Sequence, residues 1–233
     1  MHKKISFQVL SDIHLEKSKY KNLDILIHPI KADNLILAGD IGSPLKSNYK
    51  EYIKFCSENY KRVFLVCGNH EYWVNTIENT EIIIKDICKK YNNIYLLNNK
   101  CIEFEENYRK YKIFGSTLWS LVDNSKLYSM DNNLIHNFDF VKRNKLFMET
   151  VKNINSNSYD IIITHHSPTF QIIQKRLKGM NNNQLFASKL DHLIRNSKYW
   201  ICGHLHDTEV SIYDNLITNC VHNEYKDNII YLD

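Results

Sequence analysis

Five short polar motifs in the 233-residue chain contain side chain types that bind metal ions and transfer protons. In chain order they are Ser11-Asp12-Ile13-His14, Gly39-Asp40, Gly68-Asn69-His70-Glu71, His165-His166-Ser167-Pro168 and Gly203-His204-Leu205-His206. They combine carboxylates, a carboxamide and imidazoles, and they contain no thiolate. Mixed oxygen and nitrogen ligands suit manganese, iron or zinc better than calcium or magnesium. The motifs therefore predict a site for a transition-type divalent metal.

Each motif alone also has an ordinary structural explanation. In an extended chain, Asp12 and His14 lie on one face, as a metal site requires, but a surface pair has the same spacing. A Gly-Asp step is common in turns, and His204 and His206 could be surface or core histidines. The joint occurrence favours a common site, because all five motifs follow predicted strands and no comparable residues lie at the other strand ends.

Short apolar runs rich in β-branched residues precede the motifs, which is the pattern of buried strands. The predicted strands are Ile5–Ser11, Leu35–Ala38, Arg62–Cys67, Lys112–Gly115, Asp160–Thr164 and Tyr199–Cys202. All but Lys112–Gly115 lead directly into a motif. Ligands of open α/β sheets gather at the carboxyl ends of the strands, so the motifs are expected to meet at one edge.

Helical periodicity separates several of these strands. Apolar side chains share one helical face over Asn48–Tyr60, over Thr80–Tyr91 and over Phe140–Ile154. Alternating strands and helices, followed by a strand-rich end, predict an α/β fold. The remaining predictions are strands at Glu209–Tyr213, Leu216–Cys220 and Asn228–Leu232, a hairpin at Asp214-Asn215 and an exposed loop at Asn153–Ser158.

Composition predicts a single soluble domain over residues 1–233. The net charge is +4 with scattered basic residues, so nucleic acid binding is not indicated. The apolar stretch Ile5–Leu10 is too short for a signal peptide or a membrane span, so no membrane partner is expected. The six cysteines form no Cys-x-x-Cys pair, and Cys67 and Cys202 end apolar runs. Buried free thiols and a cytoplasmic location are expected.

Together the motifs resemble those of the calcineurin-like metallophosphoesterase family. That family carries Asp-x-His, Gly-Asp, Gly-Asn-His-(Asp/Glu), a histidine after a strand and Gly-His-x-His, and all five stand here between Asp12 and His206. The segment His165–Pro168 also fits the family's His-His-x-Pro form. The tail Asn219–Tyr225 matches the family's Asn-Pro-x-Gly-Tyr stretch only loosely, which affects expected substrate contacts rather than the metal site.

The resemblance implies a four-layer sandwich of two mixed β-sheets flanked by helices, with two divalent metal ions between the sheet edges. Manganese is the expected ion, with iron or zinc as alternatives. His165 matches the family ligand because it directly follows the strand, and His166 is the alternative. The implied ligands are Asp12, His14 and His206 for one metal, Asn69, His165 and His204 for the other, and Asp40 as the bridge.

The implied reaction is hydrolysis of a phosphomonoester or phosphodiester of a small molecule by a hydroxide that both metals share. His70 is the implied outer-sphere catalytic residue, which stabilises the transition state and protonates the leaving oxygen. Asp12 is expected to accept a hydrogen bond from His14 or His70. The alternatives are a nuclease with the same metal site, an inactive protein-binding scaffold and a single-metal structural site. The sequence does not indicate an oligomeric state.

The substrate side of the site is less clearly marked. A polar and aromatic stretch between Trp119 and Asp139 falls where the family often places a loop over the metals. Tyr72 and Trp73 follow the Gly-Asn-His-Glu motif directly. Each of these residues is equally explained by packing or by an exposed loop, so the substrate stays open.

Overall fold

The computed structural model describes residues 4–17, 29–124, 126–209, 211–218 and 228–233. Within these residues, ten strands form two five-stranded sheets. In the first sheet β10 is antiparallel to β1 and the other strands are parallel. Its order is β10 (Ile229–Leu232), β1 (Ile5–Leu10), β2 (Asn34–Ala38), β3 (Arg62–Val66) and β4 (Ile94–Leu96).

The second sheet is also mixed, with one antiparallel edge strand. Its order is β5 (Lys100–Glu106), β6 (Arg109–Ser116), β7 (Tyr159–Thr164), β8 (Ser197–Cys202) and β9 (Leu216–Thr218). Asn107 and Tyr108 join β5 to β6 in a two-residue hairpin, and both have positive φ, 55° and 62°. Such a turn matches the twist of the paired strands.

Helices cover the outer face of each sheet. They are α1 (Ser47–Asn59), α2 (Ile77–Cys88), α3 (Met130–Leu134), α4 (Phe140–Asn155) and α5 (Asp191–Ile194). Side chains cap three of them: Thr76 accepts from the Asn79 amide, Ser129 from the Asn132 amide and Asp139 from the Lys142 amide. Short 3-10 helices span His70–Tyr72, Lys175–Leu177 and Asn181–Leu185.

Alternating side chains of the central strands divide the core into three apolar layers. In β2, Leu35 and Leu37 pack with α1 and α2, whereas Ile36 and Ala38 face the second sheet. In β7, Ile162 packs with α4 and α5, and its neighbours along the strand face the first sheet. Strands buried on both faces read as continuous apolar runs. The four-layer sandwich implied by the family resemblance is therefore confirmed.

Most predicted elements are present, with shifted ends. The strand predicted at Lys112–Gly115 is longer, and the three predicted helical regions are α1, α2 and α4. The loop predicted at Asn153–Ser158 is partly wrong, because α4 continues to Asn155. β4 and β5 were not predicted, and the alternating partial exposure of β5 explains its weak apolar signal.

The prediction of a C-terminal hairpin is wrong. The described residues of Glu209–Tyr213 form no strand, and Tyr213 instead packs against the outer layer of the second sheet. Leu216–Thr218 pairs in parallel with β8, so the turn at Asp214-Asn215 does not join antiparallel strands. Residues 219 and 220 of the predicted strand lie outside the described residues, as does the tail 219–225.

Cys67 and Cys202 are buried free thiols, as predicted, and Cys220 lies outside the described residues. Among the described residues, no helix combines the length and apolar character needed to cross a membrane.

Ile36 should be a sensitive test of the layer between the two sheets, because its side chain is fully buried there. Ile36→Ala is expected to lower the free energy of unfolding by about 2–5 kcal/mol, since the cavity would not collapse fully. Ile82→Ala is the control, because Ile82 is 59% exposed, and a change below about 0.5 kcal/mol is expected. Urea denaturation measures both; equal losses would contradict the layered core.

Candidate metal centre

The five motifs meet at one edge because β1, β2 and β3 are parallel in one sheet and β7 and β8 in the other. Backbone hydrogen bonds join neighbouring loops: the Asp12 amide donates to Gly39 O at 3.0 Å, and the Gly203 amide donates to His165 O at 3.0 Å. Across the sheets, the His204 amide donates to the Asp12 carboxylate at 3.0 Å. The predicted convergence of the motifs is thus present in the fold.

Three of the predicted ligands form what we term the Asp12 cluster: Asp12, His14 and His206. One ligand atom from each residue lies within 4.8 Å of the others. The Nε2 atoms of His14 and His206 are 3.0 Å apart, and His206 Nε2 is 3.4 Å from Asp12 Oδ1. Nitrogens and an oxygen that converge in this way suit a divalent cation of the manganese, iron or zinc type.

A second group, the Asp40 cluster, contains Asp40, His165 and His204. Asn69 joins it, because Asn69 Oδ1 is 3.1 Å from His165 Nε2. Asp40 lies between the two clusters. Its Oδ1 is 3.4 Å from His165 Nε2, and its Oδ2 is 3.9 Å from His14 Nε2. One carboxylate therefore faces both sets of nitrogens.

The outer ring nitrogens orient two of these imidazoles. His14 Nδ1 lies 2.9 Å from Glu16 Oε1, and His165 Nδ1 lies 2.9 Å from Ala38 O. In a neutral imidazole, a hydrogen bond from Nδ1 leaves Nε2 as the lone-pair atom, which is the arrangement that metal-binding histidines use. In both residues Nε2 is the atom that faces the cluster. The donor set and its orientation fit divalent metal ions.

Buried charge distinguishes the groups of the Asp40 cluster. Burial opposes ionisation of Asp40, but His165 and His70 beside it hold the pKa of the carboxyl well below its usual range. Burial lowers the pKa of His165, but Asp40 outweighs it and raises that pKa to about 10. Burial and the charge of His165 lower the pKa of His204 to about 3. Asp40 is therefore an anion and His204 a neutral imidazole.

Four of the candidate ligands lie in the left-handed backbone region. The φ angles are 55° for Asp12, 55° for His14, 53° for Asp40 and 67° for His204. Non-glycine residues rarely adopt this region, and such strain is typical of functional sites. The expectation that Asp12 and His14 lie on one face of an extended chain is therefore wrong. They reach the same cluster because both backbones turn there.

Two motif glycines allow the loops to approach the carboxylates. A Cβ atom on Gly68 would overlap Asp40 Oδ1, and one on Gly203 would lie 2.7 Å from Asp12 Oδ2. A Cβ atom at either position would therefore displace a carboxylate. The site therefore requires glycine at positions 68 and 203 for steric reasons.

Glu71 connects two of the motif loops through its buried carboxylate, a role that the sequence did not reveal. It accepts hydrogen bonds from the amides of Asp40 at 3.0 Å, Ile41 at 2.7 Å, Gly42 at 3.3 Å and Gly68 at 2.7 Å. Burial and the neighbouring Asp40 raise the pKa of Glu71 to about 7. The side chain thus fixes the loop after β2 to the loop after β3.

Glu16 was also missed, although it continues the Asp12-x-His14 spacing by two residues. Its Oε1 lies 2.9 Å from His14 Nδ1 and 3.0 Å from His70 Nδ1. Burial opposes ionisation, but hydrogen bonds with these histidines lower the pKa of Glu16 to about 2. The expectation that Asp12 accepts from His14 or His70 is wrong, because Glu16 occupies that position.

His70 lies at the opening of the site, where it also forms a third group of possible metal ligands with His14 and Asp40. Its ring stacks on Trp73 with centroids 3.5 Å apart, and its Nε2 is 3.7 Å from Asp40 Oδ2. His166 is buried beside His204, with ring centroids 4.2 Å apart, but its Nδ1 lies 3.2 Å from Thr117 O and it belongs to neither cluster. The geometry therefore favours His165 over the alternative His166.

A buried ion pair supports Asn69 from behind, and no sequence motif indicated it. Asp131 Oδ1 accepts from Asn69 Nδ2 at 2.8 Å and from Trp73 Nε1 at 3.0 Å, while Oδ2 pairs with the buried Arg143. Because Nδ2 is bound to Asp131, the amide oxygen of Asn69 turns toward His165. Arg143 Nη1 also donates to Ser120 Oγ at 2.9 Å.

Comparison with known proteins identifies the family. The family model described as calcineurin-like phosphoesterase matches residues 5–208. The chain belongs to this family. It is a phosphoesterase hydrolase, and the resemblance seen in the motifs is confirmed. Divalent metal ions are implied for a calcineurin-like phosphoesterase, and the two clusters supply candidate ligands for them.

Individual relatives of this calcineurin-like phosphoesterase are distant. Uncharacterized protein L509 of Acanthamoeba polyphaga mimivirus is 29% identical over 247 residues, covering 89% of this chain and 87% of that protein. Phosphopantetheinyl hydrolase from Mycobacterium tuberculosis is similar in structure, with a TM-score of 0.70 and 16% identity over 95% of this chain and 90% of that chain. TT1561 of Thermus thermophilus has a TM-score of 0.50 and 13% identity, covering 86% of this chain and 81% of that chain. The structural similarities show a shared fold.

Removing Arg143 should be costly, because it leaves the Asp131 carboxylate buried without its cation. Arg143→Met is expected to lower the free energy of unfolding by about 3–5 kcal/mol. Lys145→Met, on an exposed position of the same helix, is the control and should change stability by less than about 0.5 kcal/mol. Chemical denaturation measures both, and a similar small effect for the two variants would contradict the ion pair's role.

Proposed function

We propose that this phosphoesterase binds two divalent metal ions and hydrolyses a phosphomonoester or a phosphodiester of a small molecule. The observation that carries the proposal is Asp40, an ionised carboxylate whose two oxygens face different clusters of nitrogen ligands. Two-metal sites of hydrolases hold their ions about 3.5–4 Å apart. A carboxylate shared by the two ligand sets is consistent with two ions held this close together.

In this proposal Asp12, His14 and His206 would hold one ion, Asn69, His165 and His204 would hold the other, and Asp40 would serve both. Manganese is the expected ion, with iron or zinc as alternatives. Two bound cations would activate the attacking water and neutralise charge on the phosphate oxygens. The buried carboxylates Asp12 and Asp40 supply negative charge that compensates the ions and anchors them at the edge of the sheets.

His70 is the proposed proton donor to the leaving oxygen. Its Nδ1 is held by Glu16 and its ring by Trp73, so Nε2 is presented to the open side of Asp40. Burial lowers the pKa of His70, but Asp40 and Glu16 outweigh it and raise that pKa. A protonated imidazole in this position can donate to an oxygen that leaves the phosphorus atom.

The alternatives are less well supported. Among the described residues that line the opening of the site, Arg176 is the one lysine or arginine, whereas a nuclease needs several cations along the nucleic acid backbone. An inactive scaffold has no need to retain both ligand clusters together with His70.

The proposal can be tested with an aryl phosphomonoester and an aryl phosphodiester, using chelated protein with Mn²⁺ added back and bound metal counted. Absence of both metal binding and turnover would favour the scaffold.

Asp40→Ala is expected to abolish binding of both metals, because one carboxylate serves both clusters. The measurement is metal content after dialysis against Mn²⁺, and Asp123→Ala, on an exposed loop, is the matched control. Retention of two metals per chain by Asp40→Ala would show that Asp40 is not the bridge.

His70→Ala is expected to keep the metal content and to lose turnover by about 10²–10⁴-fold, the usual contribution of general acid–base catalysis. Steady-state kinetics with the aryl ester and metal counting on the same sample give both quantities. The exposed His192 provides the control His192→Ala, which should behave as the unmodified protein. Full turnover by His70→Ala would reject the proton-donor role.

A further inference from the structure

A cavity of about 630 Å³ opens directly in front of the two clusters. Asp40, Asn69, His70, His204 and His206 form its floor. Its volume greatly exceeds the space that a phosphate group needs, so the remainder is available for the organic part of an ester. Ligand sites of this size are commonly apolar with a few polar groups.

Apolar side chains from three separate segments form the walls of this cavity. Trp73, Tyr128 and Met130 line one side, and the other side carries a second set of apolar residues, Leu177, Met180 and Phe186. The walls begin at the metal clusters, since Trp73 stacks on His70 with centroids 3.5 Å apart and Phe186 on His204 with centroids 5.1 Å apart.

The rim of the cavity carries large apolar side chains that remain exposed to solvent. Tyr128 is 74% exposed, Met130 51%, Leu177 38% and Met180 49%. Four large exposed apolar side chains around one opening form a patch of the kind that marks binding sites. Because all four surround the cavity, the part of the ligand that lies at the rim is expected to be apolar.

Few charged side chains line the cavity. Asp131 is neutralised by Arg143. Arg176 is exposed, and its Nε donates to the neutral amide oxygen of Gln174 at 2.6 Å, while Gln174 in turn donates to Asp207. Arg176 is the one arginine or lysine among the described lining residues, so the walls recognise mainly apolar groups.

We infer that this cavity binds the organic part of the substrate, and that this part is a bulky aromatic or branched aliphatic group. The inference rests on the proposed function, because the phosphate must sit on the two metals for its substituent to reach these walls.

Phosphonates test this inference, because they bind as unreactive phosphate analogues with one variable substituent. Calorimetric titration of the manganese-loaded protein would compare methylphosphonate and benzylphosphonate. Benzylphosphonate is expected to bind about tenfold or more tightly than methylphosphonate, since its ring is removed from water.

Two rim variants connect the selectivity to this cavity. Leu177→Asp and Met180→Asp are expected to reduce the preference for benzylphosphonate over methylphosphonate, and both positions are exposed enough to accept a charge. Met148→Asp is the matched control, because Met148 is 57% exposed on α4, is not among the lining residues, and should keep the preference.

The outcomes separate the two proposals. Failure of every phosphonate to bind, or binding that does not depend on metal, would overturn the proposed function. Metal-dependent binding with equal affinity for the methyl and benzyl compounds would overturn only the inference about the substrate. A preference that survives in both rim variants would also overturn it, because another surface would then hold the ring.

Discussion

Three carboxylates are buried within one small region, and the surrounding loops are shaped by the need to compensate their charge. Asp12, Asp40 and Glu71 are each at most 1% exposed. A buried carboxylate is costly unless hydrogen-bond donors or cations surround it. Backbone amides supply much of this compensation: His204 donates to Asp12, His70 to Asp40, and four amides to Glu71. At Asp40 and His204, two residues with positive φ, the backbone turns such an amide toward a carboxylate.

The same constraint explains why the glycines of the motifs matter. The loops approach the carboxylates so closely that a side chain on Gly68 or Gly203 would collide with them. The parallel strands bring the loops to one edge, and the apolar layer between the sheets holds the two halves of the site together. The packed apolar layer thus positions the loops of the site, and the buried carboxylates fix how closely those loops approach.

The motif residues and the α/β class could be predicted because they leave local signals. Strands buried on both faces produce apolar runs, and the runs of β1, β2, β3, β7 and β8 end at a polar motif, so strand ends and candidate ligands are read together. The supporting residues Glu16, Asp131 and Arg143 could not be predicted in the same way. Glu16 has one near partner, His14, but His70 lies in another loop, as Asn69 does for Asp131. A single acidic or basic residue also has no recognisable pattern. The false strand at Glu209–Tyr213 shows the reverse case, because alternating apolar residues also suit a loop packed on a sheet.

Two neighbouring residues of the short helix α3 have different roles. Asp131 orients Asn69, while Met130 and the preceding Tyr128 line the cavity and leave large parts of their surface in solvent. Substitutions at 128 and 130 are free to alter the cavity, but any that shift the helix would also disturb Asn69. On the opposite wall, Phe186 stacks on His204. Among the described residues, neither Leu177 nor Met180 has a hydrogen bond or ring contact with a candidate ligand. Divergence among descendants of this chain toward new esters is therefore expected to accumulate first in the segment around residues 177–180.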